Sequence, residues 1–283
     1  MRKILFLMFT TLALSLSAAA QNNSAAIDWR KDFQEALALS RETGKPLLLD
    51  FTAVWCQPCR EMEKTFWVRG DVIERMKSFI AVKIDYDKEK SLVNRFSVSG
   101  LPYIAFSDPL GNLIGFRKGL SDKNVDDLSA AAKRMPKDFS PLKKAYAAIE
   151  TNKNDGIALL QIADFYQNGG LLKLSNNFYE RADRTFEINK SEINRERIAA
   201  TVGLNYYEIR DYRPANEKLE KYLQMFPAGK SRDASIAALA DGNAKLGNIS
   251  EAEKYLEMLK SEFPASKNLP AANKAVAEAK VRK

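Results

Sequence analysis

The sequence has 283 residues, of which 46% are hydrophobic and 28% are charged, and its formal net charge is +8. This length favours two domains, and the apolar fraction excludes a wholly disordered chain. Histidine is absent and cysteine occurs twice, which excludes Ser-His-Asp triads, Cys-His pairs and histidine-ligated metals. Basic and acidic residues are interspersed, so the charge indicates an ordinary solvated surface, and no nucleic-acid partner is expected.

The first 20 residues have the layout of a secretory signal peptide. Arg2 and Lys3 precede an apolar run over residues 4–17, and three alanines then offer a cleavage site before Gln21. An uncleaved membrane anchor is the alternative, but a bilayer span needs about 20 apolar residues. We therefore expect a protein secreted across the inner membrane, into the periplasm, with a linker over residues 21–27.

Residues 28–136 alternate predicted helices and strands. A helix over 28–42 has one face made of Trp29, Phe33, Ala36, Leu37 and Ser40, and a short apolar strand follows over 47–52. Further along the chain, the pattern predicts a strand near 79–85, a helix near 88–95, strands near 103–107 and 113–118, and a helix near 122–134. This order predicts an α/β domain.

The two cysteines, Cys56 and Cys59, lie where the first strand gives way to a helical pattern that starts at Gln57. Unpaired N–H groups and the positive end of the helix dipole favour an anion at such a position. We therefore expect the pKa of the Cys56 thiol to lie below that of a free cysteine. Cys59, one turn further along, is within disulfide reach and is expected to be the less exposed of the pair.

Three alternatives to a redox function exist for the cysteine pair. A structural disulfide over so short a loop would constrain the unfolded chain little. Half a zinc site would need further cysteine or histidine ligands, and the sequence has none. Chance would account for a bare Cys-x-x-Cys, but here the pair follows an apolar strand and opens a helix. The setting favours redox chemistry, in which Cys56 attacks a substrate disulfide and Cys59 resolves the mixed disulfide.

Two blocks of the sequence resemble the thioredoxin family. Residues 49–59 read Leu-Asp-Phe-Thr-Ala-Val-Trp-Cys-Gln-Pro-Cys, and residues 98–103 read Val-Ser-Gly-Leu-Pro-Tyr. The resemblance covers roughly residues 28–135 and implies a thioredoxin-like fold with a cis proline facing the cysteines. It also implies a substrate groove, in which backbone pairing with an extended client is expected; the groove residues are Trp55, Gln57, Pro58, Leu101 and Pro102.

The same resemblance assigns two further residues. Asp50, six residues before Cys56, matches the buried acid that accepts the proton of the resolving cysteine, and burial would raise the pKa of its carboxyl group. Lys83 matches the lysine that accompanies this acid. The segment 65–72 resembles the exported thioredoxin-like domains of transmembrane disulfide reductases. A strand-end aspartate in water is the alternative for Asp50.

The direction of electron flow depends on the residues between the cysteines. Gln57-Pro58 is closer to the Gly-Pro of reducing thioredoxins than to the Pro-His of strong oxidants, so we expect a protein-disulfide reductase. Disulfide isomerase and non-catalytic scaffold are the alternatives. The expected partners are disulfide-bonded proteins and an electron donor, and no cofactor or metal is expected beyond the cysteine pair itself.

Residues 140–283 predict an all-α domain with internal repeats. Two segments carry small and aromatic residues at the spacings of a tetratricopeptide repeat, and a third copy is weaker. The three sets are 202–203, 206, 215, 219, 222 and 227; 239–240, 243, 252, 256, 259 and 264; and 162–163, 166, 175, 179 and 182. An ordinary helical bundle is the alternative. A last helix near 270–282 would cap the stack, and the repeats would bind a protein partner.

Overall fold

The structure, a computed structural model, describes residues 26–119 and 136–281. The predicted signal peptide, the linker up to residue 25 and the predicted helix near 122–134 lie outside the described residues. Within the described ranges, no helix has both the length and the apolar composition needed to cross a bilayer.

The first part of the chain folds around one four-stranded mixed sheet with the strand order β2-β1-β3-β4. β1 is parallel to β2 and antiparallel to β3, and β4 is antiparallel to β3. This topology confirms the predicted α/β organisation. The elements are α1 (Phe33–Thr43), β1 (Leu47–Thr52), α2 (Gln57–Thr65), α3 (Gly70–Met76), β2 (Ile80–Asp85), α4 (Lys90–Arg95), β3 (Tyr103–Ser107) and β4 (Leu113–Lys118).

The predicted start of the first helix at residue 28 is wrong. Arg30 forms a parallel bridge with Val82, so the chain is extended there and lies along the edge of β2. The helix begins at Phe33, because the Asp32 side chain caps it by accepting a hydrogen bond from a first-turn backbone N–H at 2.9 Å. Trp29 therefore belongs to the sheet edge and not to a helix face.

The two faces of β1 have different environments. Leu47, Leu49 and Phe51 pack into the core formed with α1 and α4. Leu48 packs into a second core, on the side of the sheet covered by α2 and α3. Because side chains alternate along a strand, Asp50 lies on this second face, beneath α2.

The second part of the chain is helical. A 3-10 turn (Ser140–Leu142) precedes α5 (Lys143–Thr151), α6 (Gly156–Asn168), α7 (Leu172–Asp183), α8 (Phe186–Asn189), α9 (Glu192–Glu208), α10 (Tyr212–Met225), α11 (Arg232–Lys245), α12 (Ile249–Glu262) and α13 (Leu269–Val281). The hairpins α6–α7, α9–α10 and α11–α12 stack in chain order, and α13 packs on the last one.

Small residues allow the two helices of each hairpin to approach closely. The positions that the sequence predicts to be tight are buried in all three hairpins; they are Ala163, Gly203, Ala240, Ser175, Ala215 and Ala252. A Cβ atom on Gly203 would lie 2.6 Å from the Leu219 side chain, so a larger residue there would require Leu219 to move. The fold is therefore an α/β domain followed by an all-α repeat array.

The helical part packs against the end of the sheet that is remote from Cys56. Phe139 N donates a hydrogen bond to Gly44 O at 2.7 Å, and the Tyr166 hydroxyl donates one to the carboxylate of Asp108. Asp108 follows β3, whose last residue pairs with the first residue of β1. Cys56 follows the opposite, carboxyl end of β1, so the junction with the described helices lies away from the cysteine pair.

Candidate redox site

Cys56 and Cys59 form a disulfide at the amino end of α2, with 1.98 Å between the sulfur atoms. Cys56 is the N-cap residue of α2, and its sulfur accepts a hydrogen bond from Cys59 N at 3.2 Å. Pro58 occupies the first turn, where its missing N–H costs no hydrogen bond. The predicted position of the pair, between a strand and a helix amino terminus, is confirmed.

The prediction that Cys59 is less exposed than Cys56 is wrong, because each residue is 3% exposed. Both cysteines pack in a small cluster with Ala53, and Tyr86 and Leu101 cover its margin. The oxidised pair therefore presents little of either residue to solvent.

Exposed residues lie beside the disulfide, in the loop before α2 and in the first turn of α2. Trp55 is 59% exposed, and Gln57 and Pro58 are exposed as well. The Trp55 indole N–H donates a hydrogen bond to Asp87 Oδ2 at 2.8 Å, and its ring packs edge-on against Tyr86 with centroids 6.0 Å apart. A large apolar side chain thus stands in solvent beside the disulfide, held in a fixed orientation.

The second block that resembles thioredoxins lies on the other side of the disulfide. The Leu101–Pro102 peptide bond is cis, and Leu101 packs against the cysteine cluster. Pro102 is buried and precedes β3. The predicted cis bond next to the cysteines is therefore confirmed.

Asp50 is a buried carboxyl group, 3% exposed, on the face of β1 that α2 covers. Burial is the main cause that raises the pKa of Asp50, to about 7, and the nearby carboxylate of Glu63 adds to the rise. The ammonium group of Lys83 and a hydrogen bond from Trp67 act in the opposite direction. Asp50 can therefore exchange a proton near neutral pH.

Lys83 lies directly opposite Asp50 in the parallel pairing of β1 and β2. Its ammonium group, however, forms its ion pair with Glu63, with Nζ 2.5 Å from Oε1. The expected lysine is thus beside the acid and attracts it electrostatically, but a second carboxylate is its direct partner.

Comparisons with known proteins agree with this geometry. A family model described as thioredoxin-like matches residues 28–109. The thiol:disulfide interchange protein DsbD of Vibrio vulnificus is 35% identical over 86 residues, which is 29% of this chain and 14% of that protein. Thioredoxin H3 of Arabidopsis thaliana is 30% identical over 88 residues, which cover 72% of its length.

The chain belongs to the thioredoxin-like family. The predicted thioredoxin-like fold of the first part is thereby confirmed. The solved structure of DsbH oxidoreductase is 22% identical, with a TM-score of 0.36, and the alignment covers 43% of this chain and 95% of that one. The chain spans a small part of the length of DsbD, and the family match ends before the helical array.

Sequence reasoning missed the roles of three residues of the thioredoxin-like domain that lie near Asp50 or Lys83. Glu63 is one turn after Cys59 on the same face of α2, a spacing that could have revealed it. Trp67 lies in the turn after α2, and no periodic pattern marks its contact with Asp50. The spacing of Trp29 predicts a helix face, whereas its role at the sheet edge depends on tertiary pairing.

Proposed function

We propose that the protein is a thiol-disulfide oxidoreductase that reduces disulfides in client proteins. The observation that carries the proposal is the Cys56–Cys59 disulfide at a helix amino terminus, above the buried acid Asp50. The names of the relatives, an interchange protein and a thioredoxin, support the same chemistry.

The reaction begins when the reduced pair meets a client disulfide. The Cys56 thiolate attacks one sulfur of that bond, which forms a mixed disulfide and releases the other client sulfur as a thiolate. Asp50 accepts the Cys59 proton, and the Cys59 thiolate then attacks the Cys56 sulfur. The client leaves with both sulfurs reduced, two electrons have moved to the client, and the Cys56–Cys59 disulfide must be reduced again by a dithiol donor.

The client groove in this proposal has two sides. Trp55, Gln57 and Pro58 provide one side, and the cis Leu101–Pro102 segment provides the other. An extended client segment would pair with the backbone there, with the scissile disulfide above Cys56. The absence of histidine between the cysteines supports the reducing direction over oxidation.

The remaining parts of the proposal concern location and partners. The composition of residues 1–20 supports export to the periplasm. The fold supports two domains, a thioredoxin-like domain over residues 28–136 and a helical-repeat domain over residues 140–283.

We propose that the helical array, of tetratricopeptide type, holds a protein partner, since stacked hairpins present an extended surface. Lysine-directed cross-linking of trapped clients tests this. Links to array residues such as Lys173 support it, and links confined to the thioredoxin-like domain contradict it.

The test of the redox function uses the full mature chain and a disulfide-bonded protein such as insulin. Cys56→Ser is expected to abolish reduction, and Cys59→Ser is expected to accumulate mixed disulfides with the client. Lys64→Ala, at an exposed position on the same helix, is the matched control and should retain full activity. Full activity in the Cys56→Ser protein would overturn the proposal, and faster repair of scrambled clients than reduction would favour an isomerase.

A further inference from the structure

Groups from several elements face the Asp50 carboxyl. α2 contributes Glu63, β2 contributes Lys83, and the turn after α2 contributes Trp67. The neighbour on β3 is Ile104, which is apolar. The charged and polar groups around the acid are therefore few, and each one affects its ionisation.

Trp67 supplies a hydrogen-bond donor to the acid. It is 4% exposed and packs in the core on the face of β1 that carries Asp50, and its side chain acts as a hydrogen-bond donor that lowers the pKa of the Asp50 carboxyl. An indole N–H can only donate, and a buried donor requires an acceptor. The interaction favours the ionised carboxylate, which is the form that can accept a proton.

Trp29 lies between the Trp67 indole and the Lys83 ammonium group. Its ring packs edge-on against Trp67, with centroids 5.0 Å apart. The Lys83 Nζ lies 4.8 Å from the centroid of the Trp29 ring, within the range of a cation–π interaction. The ammonium group is thus held between an aromatic face and the carboxylate of Glu63, at its position beside Asp50.

We propose that Trp67 and Trp29 are positioning residues of the redox site. Trp67 orients the Asp50 carboxylate through its N–H group, and Trp29 keeps the Lys83 ammonium group next to that carboxylate. This inference rests on the proposed function, in which Asp50 accepts the Cys59 proton. It assigns the extended segment before α1 a part in the chemistry, although that segment is remote in sequence from the cysteines.

The alternative role of both tryptophans is to fill the core and nothing more. Phe79 provides the comparison, because it belongs to the same core as Trp67 and packs against Phe106. No interaction between Phe79 and Asp50 affects the carboxyl pKa. A purely structural role predicts that Trp67→Phe and Phe79→Leu change stability alike and leave the ionisation of Asp50 unchanged.

The first test is a ¹³C NMR titration of the Asp50 carboxyl in the oxidised full chain. Trp67→Phe keeps an aromatic ring but removes the donor, and it should raise the pKa of Asp50 by about one unit. Phe79→Leu should leave the pKa unchanged. An unchanged titration in Trp67→Phe would overturn the assignment of Trp67.

The second test separates Trp29 from a general effect on packing. Trp29→Leu should raise the pKa of Asp50, because the Lys83 ammonium group is then held less firmly beside the carboxyl. The rise should be smaller than in Lys83→Met, which removes the positive charge altogether. The double variant should show the same pKa as Lys83→Met alone, since Trp29 acts through Lys83. Additive shifts, or no shift in Trp29→Leu, would contradict the role of Trp29.

The titration does not require turnover, so it distinguishes this inference from the proposed function. Shifted pKa values in an inactive protein would support the two positioning residues and count against the reductase. Unshifted values in a protein that reduces clients through Cys56 would support the reductase and overturn the inference.

Discussion

Asp50 and Asp108 are both buried carboxyl groups in the thioredoxin-like domain: Asp50 lies within the strand β1, and Asp108 follows the end of β3. Asp108 is 0% exposed, and burial raises the pKa of its carboxyl as it does for Asp50. Its oxygens, however, accept hydrogen bonds from Leu110 N at 2.9 Å, Asn112 N at 2.7 Å, Asn112 Nδ2 at 2.8 Å and the Tyr166 hydroxyl. Among the described residues, the groups that act on the pKa of the Asp50 carboxyl are Trp67, as a donor, the ammonium group of Lys83 and the carboxylate of Glu63.

The difference indicates what each acid does. Four donors converge on Asp108, as expected of a group that fixes structure, here the β3–β4 turn and the helix α6. Asp50 is buried with little compensation from surrounding donors, and keeping its ionised carboxylate in this position lowers the stability of the protein. Such a cost is typical of functional sites, where a titration near neutral pH is useful.

The largest expected effect follows from replacing Asp50. In the folded oxidised protein its pKa is about 7, against an ordinary value of 3.8. The folded state therefore holds a proton that the unfolded state has lost, and stability falls as pH rises from about 4 to 7. Asp50→Asn should remove this loss and stabilise the protein by up to about 4 kcal/mol at high pH.

Urea unfolding of both proteins at several pH values measures the effect. The two stabilities should differ least below about pH 3, where the carboxyl is protonated in both states. A constant difference across the pH range would mean that Asp50 does not titrate as described.

Replacement of Asp108 should have the opposite sign. Asp108→Ala leaves buried donors of the turn and of Tyr166 without an acceptor, which should cost about 3 kcal/mol of unfolding free energy. Thermal or urea unfolding measures the loss. A stability equal to that of the wild type would show that the hydrogen bonds to Asp108 contribute nothing to the free energy of unfolding.

The next effect concerns the position of the Asp50 titration. Glu63→Gln removes a like charge that raises the pKa of Asp50, so the titration should move to lower pH. Glu61→Gln, which removes an exposed charge from the same helix, is the matched control and should leave the titration in place. A shift of equal size in both variants would point to a general charge effect.

The smallest effect on stability is expected from the hydrogen bond between Tyr146 and Tyr166, next to Asp108. The Tyr146 hydroxyl lies 3.2 Å from the Tyr166 hydroxyl, and both are buried. Tyr146→Phe keeps the ring and removes this hydrogen bond, which should cost about 1 kcal/mol. Disulfide reduction by this variant should equal that of the wild type; reduced turnover would indicate coupling between the junction and the redox site.

Much of the redox site could be predicted because its signals are local. The strand, the helix that starts at Gln57 and the Cys-Gln-Pro-Cys spacing lie within a few residues of each other, and burial of Asp50 follows from its place in an apolar strand. The small residues that mark the helical hairpins are likewise a periodic, local pattern.

The parts that could not be predicted depend on tertiary pairing. Trp29 has the spacing of a helix face, but the Arg30 bridge and the Asp32 cap place it at the sheet edge. The contact between Asp108 and Tyr166 joins residues 58 positions apart. No local pattern indicates that a turn aspartate will be covered by a helix from the second part of the chain.

The most direct test of the central claim is the rate at which mixed disulfides are resolved, measured from about pH 5.5 to pH 8.5. The wild type and Tyr146→Phe should show the same rise in rate, with a midpoint near the pKa of Asp50, about 7. Asp50→Asn should be slower by about tenfold or more and lack this rise. A wild-type rate and midpoint in Asp50→Asn would contradict the assignment of Asp50 as the proton acceptor.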